Sequence, residues 1–227
     1  MNTFAKLFAP AAVALSAMAA MPAQAQVEGR IATIDIARAV IGTKALETAY
    51  DQINQTYAQQ NELRRTKAAE RQTVLQGFDT NGDKQVDDAE LAAKQKSPEF
   101  TKLQTLEAEI QALTNQIDAA RIYAVEQILT QYGAALQEVT TKQQIKLVLD
   151  PGTVMFSVPE ADITAQITAA LNAKVPSVGI IPPQGWQPMR ESVQLYQDIQ
   201  QRLITAQLIQ QRQQQQQQGN PQAPAGR

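Results

Sequence analysis

Residues 79–90 read DTNGDKQVDDAE, with oxygen-bearing side chains recurring at alternate positions. Taken as a loop, they place Asp79, Asn81 and Asp83 at positions 1, 3 and 5, Gln85 at 7, Asp87 at 9 and Glu90 at 12. A hard cation taking about 6 to 8 oxygen ligands needs this alternation: the side chains at 1, 3 and 5 turn inward as the loop wraps, position 7 offers its carbonyl, and a glutamate at 12 closes the shell. The spacing is that of an EF-hand loop and points to calcium, with Val86 at its apolar eighth position. Position 6 calls for glycine and holds Lys84, so a left-handed turn there costs on the order of 1 kcal/mol. The other reading is a polar helix-reversing turn in which Asp87 or Asp88 caps the next helix.

Little other chemistry is open to the chain. It has no cysteine and no histidine, which removes thiol nucleophiles, Cys/His zinc sites and histidine bases, so an enzyme is not expected. No G-x-x-x-x-G-K-[ST] cradle is present, so no nucleotide cofactor is expected. A net charge of −2 without a basic stripe argues against nucleic-acid binding. Arg64, Arg65, Lys67 and Arg71, flanked by Glu62 and Glu70, read as a solvated helix face with i,i+4 pairs. Asp35 and Asp150 read as cap or turn residues. Trp186, in PPQGWQP, either docks a partner segment or pins a linker to its own body, and Tyr50, Tyr57, Tyr123 and Tyr132 are either seam residues or contacts for a bound polypeptide.

These residues need elements to hold them. Residues 1–25 carry Lys6, an apolar stretch from Leu7 to Met21 and small residues at Ala23 and Ala25, which reads as a secretory signal peptide cleaved after Ala25. No later stretch is long and apolar enough to span a bilayer, so an exported, soluble protein is expected. Ile31, Ile34 and Ile36 lie in a short strand that leads into a helix start. From Thr43 to about Gly77, Leu46, Ala49, Tyr50, Ile53 and Tyr57 keep helical spacing but form a thin stripe. Between Phe100 and Val139, Leu103, Leu106, Ile110, Leu113 and Ile117 form a heptad seam that Ala124, Ile128 and Val139 continue. Two such helices joined by a turn must run antiparallel. The expected fold is therefore mainly α, a long helical hairpin over 43–142 projecting from a small β-containing body made of 27–42 and 143–177.

Within that body, Ile145–Leu149, the turn Asp150-Pro151-Gly152 and Thr153–Val158 predict a β-hairpin, joined by the 31–36 strand to reach the three strands an independent sheet needs. Asp162 precedes a helix carrying Ile163, Ile167 and Leu171. Residues 178–190 read as a Pro/Gly linker, 191–212 as an amphipathic helix with Val193, Tyr196, Ile199 and Leu203, and 213–227 as a disordered glutamine-rich tail. The body has too few residues for a core of its own, which predicts that it oligomerises.

The order of elements, and above all IKLVLDPGTVMFSVPEADITAQITAALN, resembles the Skp/OmpH family of periplasmic chaperones. The matching pieces are the strand ending at Leu147 to Asp150, the short strand Thr153 to Ser157 and the helix opening Asp162 to Ile167; the likeness spans about residues 27–177. It implies a periplasmic homotrimer whose bodies associate while three tentacle-like arms enclose a cavity. Unfolded outer-membrane proteins would be held there without ATP. The alternative from another class is a structural calcium-binding coiled-coil protein of the envelope that handles no clients. A thin outgoing stripe, rich in Gln and Ala, favours the chaperone, because an arm that splays around variable clients needs a weak seam.

Overall fold

The computed structural model describes residues 29–218; the signal-peptide expectation for 1–25 and the tail beyond Gln218 lie outside them. The chain opens with strand β1 (Arg30–Thr33) and helix α1 (Ile36–Ile41). The outgoing arm is α2 (Lys44–Thr56) and α3 (Ala58–Gln76), and its tip carries the loop and α4 (Asp88–Lys94). The chain returns through α5 (Pro98–Leu129) and α6 (Tyr132–Lys142) to β2 (Ile145–Leu149), then α7 (Thr164–Lys174) and α8 (Arg190–Gln218). No helix among the described residues is long and apolar enough to cross a membrane.

Local chemistry sets the breaks. Asp35 caps α1 by accepting the Arg38 N–H at 3.0 Å, and Thr43 caps α2 through the Leu46 N–H at 3.3 Å. The junction of α2 and α3 is a kink at Tyr57 (φ −100°, ψ 21°) through which the i→i−4 ladder continues, Tyr57 N–H to Ile53 O and Asn61 N–H to Tyr57 O, both 2.9 Å. Helix α5 starts where Ser97 caps it and Pro98 takes the first turn, a position at which a missing N–H costs nothing. At about 1.5 Å rise per residue its 32 residues extend roughly 48 Å.

The expected β-hairpin does not form. Instead β1 and β2 pair in parallel, with Ile31 opposite Leu147, Ala32 opposite Val148 and Thr33 opposite Leu149, and the whole arm serves as the long crossover that parallel strands require. Thr153–Val158 is not a strand: Pro151–Thr153 is a single 3-10 turn, Asp150 accepts the Gly152 N–H at 2.7 Å, and the chain then runs irregularly to a second turn at Pro159–Ala161. The sheet therefore has two strands rather than three, supplemented by a bridge between Thr33 and Asp162. Helix α8 also runs to Gln218, past the expected end at 212 and through six glutamines assigned to the tail, because glutamine loses little rotamer freedom in a helix.

The main core lies at the base of the arm. It gathers Ala32 and Ile34, Val40 of α1, Leu46 of α2, Val125 and Ile128 of α5, Val139 of α6, Ile163, Ile167 and Leu171 around α7, and Ile199 of α8. A second cluster, Ile53, Tyr57, Ile117 and Ala120, closes the proximal arm. Farther out α5 still buries Leu103 and Leu106, but α3 buries no residue. There the pairs cross the hairpin instead of running along one helix: Lys67 to Glu109 at 2.5 Å, Arg71 to Glu107 at 2.8 Å and Lys102 to Glu70 at 2.6 Å, with only Arg65 and Glu62 paired along α3. Three of the four tyrosines turn inward, Tyr57 buried and Tyr50 and Tyr132 packed against the main core, while Tyr123 meets Trp186.

Ion pairs tie the body together. Lys142 and Lys174 hold the Glu138 carboxyl down to about 2. Burial works to raise Asp35, but the Arg38 N–H and the Arg202 guanidinium prevail and lower it. Asp162 is likewise lowered against its burial by Thr164 and Arg38. Carboxylates held below their unfolded values contribute stability that is whole above about pH 5 and is lost as the pH falls through the folded values. The urea midpoint is therefore expected to stay level from pH 7 to about 5 and to drop below about 4; a midpoint that holds down to pH 3 would show these pairs contribute nothing. Ile199→Ala should cost about 2 to 5 kcal/mol in the same measurement, since the side chain is fully buried in the base core.

Candidate functional site

The arm-tip loop begins where α3 ends at Gly77 and Phe78, 1% exposed, plugs the tip. Asp79 then organises the first half. Its Oδ1 accepts the Gly82 N–H at 2.6 Å and its Oδ2 accepts the Lys84 N–H at 2.8 Å. Asn81 Oδ1 accepts the Asp83 N–H and Asp83 Oδ1 accepts the Gln85 N–H, each at 2.8 Å, two successive Asx turns. Gly82 and Lys84 both take left-handed backbone, φ 81° and 67°. The sixth position therefore adopts the turn the spacing demands although a lysine occupies it, and the two N–H bonds to Asp79 offset the strain.

Glu90 governs the second half. Its Oε1 accepts the Thr80 N–H at 2.7 Å, the Thr80 hydroxyl at 2.8 Å and the Asn81 N–H at 3.1 Å. Asp87 caps α4 by accepting the Glu90 N–H at 2.8 Å, and Glu90 Oε2 accepts the Asp87 N–H at 3.3 Å, a reciprocal capping box. The Thr80 backbone bond, then its hydroxyl, then the Asn81 and Asp87 N–H groups, prevail over burial and lower the Glu90 pKa.

The six loop positions thus fall into two sets. Asp79, Asn81 and Asp83 shape the first turn, Gln85 follows it, and Asp87 and Glu90 lock the start of α4. Among the described residues no three acidic groups converge as a preformed metal shell. Closing one here requires Glu90 to exchange its bonds to Thr80 and Asn81 for the cation. Thr80 was invisible as a partner because its role depends on a carboxylate ten residues away folding back. A cleft of about 630 Å³ lies beside the loop, lined by Leu75, Val86 and Leu91 with Gln72, Asp79 and Lys84.

A second surface lies on the body. Met155 is fully exposed and Phe156 is 84% exposed on the irregular stretch that follows β2, Val158 is half-exposed beside them, and Ile31 and Leu147 are exposed on the paired strands. Exposed aromatic and sulfur side chains so close together are costly for a chain that stays alone in water. Two further residues escaped the sequence reading, Glu126 and Gln127 on α5, which hold the 178–189 segment 52 to 63 residues farther along; nothing local marks them.

Residues 30–171, more than half the chain, match the family described as outer membrane protein (OmpH-like). Among solved structures the chain is similar to a protein from Caulobacter crescentus CB15 described as an outer membrane chaperone (OmpH-like), at 20% sequence identity over 70% of this chain and 93% of that one, with a TM-score of 0.37. No curated protein matches. The matched region stops before the 178–189 segment and α8.

The loop bonds yield one prediction. Glu90→Gln keeps the shape but removes the charge that receives four donors, so in calcium-free buffer the Thr80 and Asn81 amides should exchange with deuterium faster. Unchanged protection at both would show that the carboxylate does not hold the loop.

Proposed function

Because the chain belongs to the OmpH-like outer membrane protein family, we propose that it is an ATP-independent periplasmic holdase that keeps unfolded outer-membrane proteins from aggregating. The observation that carries this reading is the distal arm. Helix α3 buries no residue on α5, and exposed charged rungs connect the two. Such rungs are individually weak and salt-screened, so the arm opens at little cost while the base core stays intact. A passive envelope coiled coil would instead want a buried stripe on α3.

The same proposal includes a homotrimer formed through the body, supported by the exposed Ile31, Leu147, Met155, Phe156 and Val158. It also includes calcium at the arm tip, supported by the 1, 3, 5, 7, 9, 12 spacing of Asp79, Asn81, Asp83, Gln85, Asp87 and Glu90 and by the left-handed turn at Lys84. Bound calcium would stiffen the tip. Millimolar calcium should give measurable binding heat that Glu90→Gln reduces strongly, whereas no heat would leave the loop as a polar turn.

Two measurements test the rest. The mature protein is expected to suppress aggregation of a denatured outer-membrane barrel protein equally with and without ATP; no suppression, or a need for ATP, would sink the holdase reading. Phe156→Asp places a charge on a side chain that touches little within one chain, so helix content should persist while sedimentation shows loss of the trimer. A variant that still assembles would move the contact elsewhere.

A further inference from the structure

The segment between α7 and α8 lies on α5 in the manner of a bound peptide. Gln127 reads its backbone with both ends of its amide: Oε1 accepts the Gly179 N–H and Nε2 donates to the Gly179 carbonyl, each at 2.9 Å. Glu126 takes the Trp186 indole N–H on Oε1 at 2.8 Å and the Met189 backbone N–H on Oε2 at 2.7 Å. The Trp186 ring meets Tyr123 edge to face, with centroids 5.3 Å apart and planes at 73°. It is presented by a turn in which its N–H bonds Pro183 O at 3.0 Å and Gly185 takes φ 78°. Val178 and Ile180 add partial contacts to the two hydrophobic clusters, while most of the segment stays exposed.

Three features make this a recognition surface rather than a packed core. Three of the four polar contacts go to backbone atoms that any residue but proline supplies. A Cβ built on Gly179 would stand 3.5 Å from Tyr123 Cε1 and 3.6 Å from Gln127 Oε1, ordinary contact distances, so the site does not demand glycine. The surface also continues past Trp186 as a cleft of about 500 Å³ between α5 and α8, where Asn115, Asp118, Ala119 and Ile122 line the α5 side. Irregular backbone, bent at 180–181 and turned at 184–185, one aromatic side chain and a run-on groove describe an unstructured polypeptide segment.

We propose that the α5 face of Tyr123, Glu126 and Gln127 is a docking site for unstructured, aromatic-containing polypeptide, and that residues 178–189 occupy it as a built-in stand-in which an unfolded client displaces. The displacement half rests on the holdase reading; the docking half does not. Release is local. Helix α8 keeps its own anchors, the buried Ile199, the Tyr196 hydroxyl on Asp118 at 2.5 Å and Arg202 on Asp35 at 2.6 Å, so the segment can lift while the body stays whole. A tethered occupant reduces apparent client affinity by the fraction of time the site is free, so weakening it should tighten client binding.

Trp186 is the single tryptophan, and its emission reports the segment directly. In one arm of the experiment a dye-labelled synthetic peptide of residues 178–189 is titrated onto the full-length protein, onto Trp186→Ala and onto Trp186→Ala with Glu126→Ala and Gln127→Ala, circular dichroism confirming that each is folded. Binding should be roughly tenfold tighter to Trp186→Ala than to the unaltered protein and lost in the triple variant. Equal binding to all three, or to none, overturns the docking site. In the other arm a labelled, tryptophan-free unfolded barrel protein is added to the unaltered protein. Client anisotropy should rise together with a red shift of Trp186. Saturated client binding with unmoved Trp186 emission overturns displacement, whereas no client binding in any variant counts against the holdase reading and leaves the peptide arm to decide the site.

Discussion

Helix α5 offers Leu103, Leu106, Ile117, Ala120, Ala124, Val125 and Ile128 for burial along one continuous rod, and both the outgoing arm and the C-terminal helix pack on it. A helix this long is not stable in water without tertiary partners for its apolar stripe. Near the base those partners are α1, α2 and α8, and Val125 and Ile128 are fully enclosed. Toward the tip the main partner is α3, which has no buried side chain to give. The strength of the arm is therefore graded along α5. Burial concentrates where the helix meets many elements and thins where α3 is its main partner.

That gradient also explains the division of chemistry. Charged pairs substitute for apolar burial on the distal arm, where Lys67, Arg71 and Lys102 reach across to acidic partners. Such pairs set register without fixing it rigidly, since they exchange with water at modest cost. At the base the ion pairs sit beside a dry core and link separate elements: Glu138 joins α6 to α7, and Asp35 joins α1 to α8. Tyr50, between Arg121 and Gln200, is pushed up to about 12 by burial and stays a neutral phenol that receives the Gln200 amide.

The C-terminal extension belongs to this base rather than trailing from it. Ile199 is among the fully buried residues of the main core, so removing α8 opens the core itself. The preceding segment differs in kind. It is held by one side-chain amide, one carboxylate and an edge-to-face aromatic pair, contacts that can be exchanged one at a time, whereas buried aliphatic packing is lost as a unit.

Periodicity settled much of this molecule in advance. The spacing of Leu103, Leu106, Ile117 and Ile128 announced the returning helix and its buried face, the thin stripe ending at Tyr57 announced a weak distal seam, and the body segments pointed to the family. The left-handed turn at Lys84 followed from its place in the loop spacing. These features are local, fixed by residues a few positions apart. What the chain could not announce is who partners whom over long separations. Thr153–Val158 has strand-forming residues, but within one chain no neighbour offers it a ladder, while β1 and β2 find each other only after the arm has brought the chain back. Glu126 and Gln127 look like any polar pair on a helix until Gly179, Trp186 and Met189 arrive. The tertiary fold decided these pairings because a hydrogen bond needs its two atoms within about 3 Å, and sequence distance does not encode that.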